Sequence, residues 1–283
     1  MSGRPAAHAA GRFDVAYAPL APGVAGLGEI AILPWDSEIF GFAVADYRPR
    51  SADDLSREAP RLSQSIRDWA AEHAVELVAC RLPADATQGS TALAVSGFRL
   101  VETQVRAMLT SLAAARLPPG RLTVRPVEPL DTEPVVRLAG SAFAFGRYHS
   151  DPLFPRSLAN RRFRVWMERA LAEPSEETWI GVIGPPGRPD GFLHAELASE
   201  VADVRLVATD PDGSGLAGPD LLLGALHALA ARGARRATAQ LAAANSAALN
   251  LYASLGFRFH GAEFVFHWSA PGSRHLASTR DGV

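Results

Sequence analysis

The sequence predicts a mixed α/β fold with a partly antiparallel sheet. Three observations point there. Short apolar strand patterns alternate with helix-period segments, yet several strands also follow one another directly. One stretch of chain is written twice, LVACRLPADATQGSTALAVSGFRLVETQVRAMLTS over Leu77–Ser111 and RATAQLAAANSAALNLYASLGFRFHGAEFVFHWSA over Arg236–Ala270. Each copy reads as apolar strand, loop, Ala-rich helix, Gly-Phe break and alternating strand. Between the two halves lies AAARLPPGR, Ala113–Arg121, whose prolines and glycine punctuate the chain.

Taken in order, strands are expected near Asp14–Leu20, Gly28–Leu33 and Phe42–Tyr47, then a helix near Leu55–His73 and the first copy. After the break come a strand near Leu122–Pro126 and helices near Thr132–Ala144 and Leu158–Leu171, the latter apolar at Phe163, Trp166, Ala170 and Leu171. Strands near Thr178–Ile183, Gly191–Leu197 and Ala202–Val207, a helix near Pro219–Arg232 and the second copy complete the list. The expected organisation is a loose start over 1–13, a first domain over 14–112, a linker over 113–121, a second domain over 122–270 and a polar tail over 271–283.

Of 283 residues, 48% are apolar, enough for a full core, and the formal net charge of -2 gives no reason to expect nucleic acid. One cysteine, Cys80, excludes an intramolecular disulfide and fits a reducing compartment. No apolar run reaches the ~20 residues needed to span a bilayer, and MSGRPAAHAAGRFD lacks a signal core. These features lead to the expectation of a cytoplasmic protein, without membrane contact.

The second copy carries the polar groups. Asn245 suits a helix N-cap, the helix Ser246–Leu255 presents Tyr252 two turns on, and Gly256 stops it before Phe257 opens a strand. Phe264, Phe266 and Trp268 alternate and mark one buried face of that strand. The first copy has Ala86 in place of Asn245 and Leu93 in place of Tyr252, so it reads as a structural copy. The pattern N-x-x-A-x-x-L-Y-x-x-x-G-F resembles the GNAT superfamily of N-acyltransferases. The resemblance implies a GNAT fold with a degenerate, GNAT-like N-terminal half. It also implies acetyl-CoA, or another acyl-CoA or acyl-phosphopantetheine, as co-substrate, no metal, and a small-molecule amine as acceptor to a monomer or homodimer.

A glycine loop opening a helix is an anion site, because its N–H groups and the positive helix end face the ligand. Here DPDGSGLAG, Asp210–Gly218, precedes the helix, with Pro219 suited to its first position and Gly233 after its end. The family's loop reads Q/R-x-x-G-x-G/A. This one departs from it: anchored on the following helix, Gly213 stands for the Gln or Arg and Leu216 for the first glycine, while Gly218 is kept; anchored on Asp210-Pro211, Ser214 and Ala217 take the first two places and Pro219 the third. Gly213, Ser214, Gly215, Leu216, Ala217, Gly218 and Asn245 are the expected cofactor contacts. Asp212 and Asp220 flank the loop, where they either repel phosphate or stabilise the helix start. The altered loop keeps a second donor open, an acyl group on a carrier protein. A non-catalytic pantetheine-binding protein is a third reading.

Amide formation from a thioester needs a held amine, a donor to the oxyanion, a base and an acid for the leaving thiolate. In the family a gap between two central strands admits the pantetheine. Those strands are expected here at Gly191–Leu197 and Ala202–Val207, with Val207 among the cofactor contacts. By resemblance Tyr252 is the general acid; its other reading is a core tyrosine. His194 and Glu196 share a strand face and are the candidate bases. They equally fit a solvent-facing stripe, with water as the base. The acceptor side is expected in SAFAFGRYHSDPLF, Ser141–Phe154, through Phe143, Arg147, Tyr148 and His149. Asp151 and the basic face of Arg161, Arg162, Arg164 and Arg169 lie beside it. PWDSEIFGFAVADY (Pro34–Tyr47), the stretch Ser141–Leu171 and the Asn/Tyr end together resemble the TDP-fucosamine acetyltransferase group. That likeness implies a nucleotide-linked amino sugar as acceptor.

Overall fold

A computed structural model describes residues 15–21, 26–112, 117–118, 120–210 and 217–273. The chain divides into two compact units. One holds the chain up to Val101, Asp151–Pro155 and the chain from Phe264; the other holds Glu102–Ser150 and Arg156–Glu263.

In the first unit, β1 (Ala18–Pro19), β2 (Glu29–Ile32) and β3 (Ala43–Arg48) pair antiparallel, and β3 runs parallel to β4 (Val75–Pro83). Helix α1 (Pro34–Phe40) links β2 to β3. Periodicity does not predict it, because two turns are too short to show a period. Pro34 opens it, and Gly41 closes it with a left-handed φ of 77°. Helix α2 (Ala52–Glu72) begins at Ser51, whose hydroxyl accepts the Asp54 N–H at 3.0 Å. It buries Leu55, Leu62, Ile66 and Ala70. Helix α3 (Thr87–Val95) has Ala86 at its start and no side-chain cap.

The second unit holds β6 (Arg125–Pro126), α4 (Thr132–Ala139), α5 (Arg156–Ala172), β7 (Thr178–Ile183), β8 (Gly191–Ala198), β9 (Val201–Thr209), α6 (Ala217–Ala231), β10 (Arg236–Ala242) and α7 (Ser246–Ser254). Its strand order is β5-β10-β9-β8-β7-β6, where β5 is Arg99–Leu109, and β9–β10 is its one parallel pair. One sheet face packs on α6 and α7 through Leu221, Leu222, Leu226 and Leu229 against Leu193, Ala195, Val204 and Ala239. The other face packs on α4 and α5 through Val135 and Met167 against Ile180, Phe192 and Leu206. Asp131 fixes the entry to α4. It accepts from Arg125 at 2.6 and 2.9 Å and from the Glu128 and Gly187 N–H groups at 2.9 Å, and the Arg125 bonds lead in holding its pKa down to about 2.

The two copies repeat in backbone detail. Phe98 N–H donates to Leu93 C=O at 3.0 Å, as Phe257 does to Tyr252 at 3.1 Å; Gly97 and Gly256 take φ of 93° and 87°. The unit boundary, however, precedes the expected linker. The second part of β5 already belongs to the second unit, pairing with β10 from Gln104↔Ala242 to Leu109↔Ala237. Conversely, the end of β11 (Arg258–Ser269) belongs to the first unit, where Phe266 and Trp268 join the core of Leu93 and Phe98. Each copy thus gives its last strand to the other unit. That also explains why Val265 and His267 are buried along with Phe266 and Trp268, where one buried face was expected.

Asp151 sits in the first unit, 1% exposed at its side chain, bonded to His267 Nδ1 at 2.8 Å and to Arg99 at 3.3 Å. Removing Asp151 takes the acceptor from the buried His267 Nδ1 and the carboxylate from Arg99. Asp151→Ala is expected to lower unfolding stability by about 1–3 kcal/mol, read as a fall in the urea midpoint.

Candidate functional site

The parallel ladder between β9 and β10 covers Val201–Val204 against Arg236–Ala239 and goes no further. Yet β9 runs on to Thr209 and β10 to Ala242. Outside the gap both strands stay held: Leu206–Thr209 by β8 and Gln240–Ala242 by β5. The two strands therefore separate between fixed neighbours, leaving the inward backbone groups of that stretch without ladder partners across the gap. The matching parallel pair of the first unit, β3–β4, stays paired to Tyr47↔Cys80. Cys80 there is fully buried, and burial pushes its thiol pKa well up, so it is a packed filler.

The gap was expected one strand earlier, between Gly191–Leu197 and Ala202–Val207. That expectation is corrected: β8 and β9 pair from Gly191↔Thr209 to Ala198↔Val201. The physical reason is a bulge. His194 faces Leu206 and Ala195 faces Val204, so Arg205 has no opposite residue. The extra residue kinks β9 at the point where its ladder with β10 ends.

Arg205 gathers the carboxylates beside the gap, bonding Glu196 at 2.5 Å and Asp203 at 2.9 Å. Asp203 also accepts the Thr238 hydroxyl at 3.0 Å across the last stretch of paired β9–β10. Asp203 and Thr238 carry no sequence signal, because neither residue is unusual in a strand; only the register places them at the mouth of the gap.

No protein-family model and no curated protein sequence matches this chain. Solved structures do match it in shape. A GCN5-related N-acetyltransferase from Sphaerobacter thermophilus superposes with a TM-score of 0.61 at 15% identity, over 87% of this chain and 78% of that one. A GCN5-related N-acetyltransferase from Kribbella flavida gives 0.54 at 17%, over 89% and 90%. A tandem GNAT protein from the clavulanic acid biosynthesis pathway gives 0.53 at 14%, over 87% and 80%. The chain has the GNAT fold. The match to the tandem GNAT protein covers most of this chain, both halves included.

Within that fold Tyr252 lies on α7, 3% exposed, edge-on to Phe257 at 4.9 Å and in the core with Leu193 and Val204. Burial first, then the negative charge of Asp203, raises its pKa, so the phenol keeps its proton. Asn245 caps α7, its Oδ1 accepting the Ala248 N–H at 3.1 Å. Val207 is half-buried on β9 along the open stretch. Among the described residues α6 begins at Ala217, which puts Pro219 inside the helix and not at its first position; Ala217 is buried and Gly218 half-buried. Gly213, Ser214, Gly215 and Leu216 lie outside the described residues. Asp220 is not an exposed flank but is buried, accepting the Arg121 N–H at 3.1 Å.

Glu196 is held in the Arg205 ion pair rather than standing open to solvent. His194 is 2% exposed beneath Trp166, with ring centroids 6.4 Å apart and no partner on either ring nitrogen among the described residues. Burial, then the charge of Arg205, lowers its pKa to about 4. The solvent-facing stripe is thus overturned for His194, because α5 covers that part of β8.

Phe143 stacks on Phe163 at 4.3 Å, and His149 stacks on the same ring at 5.6 Å while bonding Asn160 at 2.8 Å. Burial lowers the His149 pKa, with Arg156 and Arg162 adding to that effect and the Asn160 bond opposing it. Arg147 and Tyr148 are both buried, the guanidinium 4.6 Å from the phenol ring. Arg162 lies over Tyr148 and Trp166, whereas Arg164 pairs with Glu168 at 2.9 Å on the outer face. These residues form an aromatic and cationic wall under α5, and Asp151 belongs to the other unit.

A neutral imidazole buried in the folded state must gain a proton on unfolding below its ordinary pKa of 6.5. The unfolded chain then binds more protons than the folded one. Stability should therefore fall as pH drops from 6.5 towards 4 and be fully present above 6.5. Chemical unfolding across that range should show a slope that His194→Phe flattens.

Proposed function

We propose that this protein is a GNAT-type N-acyltransferase that moves an acyl group, acetyl first among them, from a CoA thioester to the primary amine of a small molecule. The opening of β9 from β10 carries this reading. It supplies a slot with backbone donors on one wall, in the half whose following helix has both Asn245 and Tyr252. The half without them keeps its parallel pair zipped.

In this reading the pantetheine arm enters the slot from the side of α6 and α7. The N-terminal end of α6, at Ala217 and Gly218, follows β9 along the chain and would turn its helix-end N–H groups to the pyrophosphate. Backbone N–H groups on the open edge of β9, with Val207 among its residues, donate to the thioester carbonyl and to the oxyanion that follows. Tyr252, protonated at neutral pH, donates to the departing thiolate; the upward shift from burial makes it a weaker acid, so it donates as charge develops on sulfur.

The amine must lose a proton before or during attack. His194, at about 4, is a weak base, and Glu196 and Asp203 are both held by Arg205, so in this reading the amine proton passes to water beside these carboxylates. Phe143, Arg147, Tyr148 and His149 shape the acceptor wall. A nucleotide-linked amino sugar is the acceptor that the three-segment resemblance favours, and Arg162 with Arg147 would meet its phosphates.

Transfer from acetyl-CoA to a panel of amines, followed by thiol release and by mass spectrometry of the amide, tests the reading. Failure with every amine, and with carrier-protein-bound acyl donors as well, would sink it. Tyr252→Phe is expected to lower kcat by ~10²-fold while leaving donor affinity nearly unchanged. An unaltered kcat would return Tyr252 to a purely packing role.

A further inference from the structure

The strand that the first copy gives to the second unit brings polar side chains to the edge of the gap. Opposite residues of paired strands share a face. Asp203 and Thr238 are opposite and bonded; Gln240 follows on the same face of β10; Arg106 lies opposite Gln240, and Gln104 opposite Ala242. Intervening residues Ala107, Ala237 and Ala239 turn to the other face, into the core under α6 and α7. Donor and acceptor can therefore reach the gap from opposite faces of one sheet, and Gln104 and Arg106 of β5 share the acceptor's face with Gln240.

The polar groups on that face are joined. Gln240 Nε2 donates to Gln104 Oε1 at 2.6 Å and to Glu263 at 3.3 Å; Gln104 Nε2 donates to Glu102 at 2.7 Å, and Arg106 pairs with Glu263 at 3.2 Å. The pair Arg106–Glu263 keeps 38% and 21% of its side-chain surface exposed, so a ligand can meet it. Glu102, Glu196, Asp203 and Glu263 stand on this face with Arg106, Arg205 and Arg236, so it offers both acceptors and donors to a second polar group.

We propose that β5 of the first copy completes the acceptor site, with Gln104 and Arg106 selecting amines that carry a second polar group. One to two strand spacings separate the gap from these side chains, so that group lies roughly 5–10 Å from the reacting nitrogen. The first copy, silent in chemistry, then determines specificity. This inference rests on the N-acyltransferase reading above.

The test compares pentylamine, 5-aminopentanol and 1,5-diaminopentane as acceptors of acetyl from acetyl-CoA in the full-length protein. Wild type is expected to favour the two polar acceptors by ~10-fold or more in kcat/KM. Gln104→Leu and Arg106→Met should each reduce that preference to about 2-fold or less, with the KM for acetyl-CoA unmoved. Gln104→Glu, of the same shape, separates recognition from folding: it should shift preference towards the diamine by adding a charge. Transfer by wild type with the same preference in all three variants overturns the inference alone. A wild type that acylates no amine overturns the functional reading, and the inference with it.

Discussion

The site depends on one parallel ladder that stops. Strands β9 and β10 share four opposed residue pairs, Val201–Val204 with Arg236–Ala239, and then part while each remains bonded to its outer neighbour. Backbone groups seldom go without partners in a folded sheet. An opening held between two intact ladders therefore has a structural cost that a bound chain can offset. The Arg205 bulge provides the bend. Because the bulged residue is an arginine, it also draws Glu196 and Asp203 to the mouth of the opening.

Duplication gives that opening an internal control. Both units contain a parallel strand pair followed by a helix with a Gly-Phe stop. In the first unit β3 and β4 stay paired, Ala86 caps nothing and Leu93 fills the place of a phenol. The first turn of α2 carries Asp53 and Asp54, the wrong sign for a phosphate. The first copy thus has neither the opening, the side-chain cap nor the phenol that the second copy carries. The second part of β5 nevertheless pairs along β10 within the second unit.

The region under α5 shows how burial reassigns residues of ordinary type. His194 has the composition of a general base, but Trp166 and the α5 packing remove it from water and its pKa falls. Glu196 has the composition of a carboxylate base and is instead the partner of Arg205. Asp203, one strand over, shares that arginine and also accepts from Thr238 at the gap.

What the sequence determined by itself were features of short range. The Asn245 cap, the Gly256 stop and its counterpart Gly97, and strand β7 at Thr178–Ile183 follow from local dihedral preference and periodicity, and the structure places them where those rules put them. Periodicity also gave most helices to within a few residues. Tertiary structure decided whatever depends on which strand lies beside which. The gap moved from β8–β9 to β9–β10, the unit boundary moved ahead of the expected linker, and Asp151 left its neighbours Arg147 and His149 for the other unit. The reason is physical: a residue's own type sets its dihedrals and its side-chain face, whereas pairing register and strand exchange are set by the partner, which lies far away along the chain.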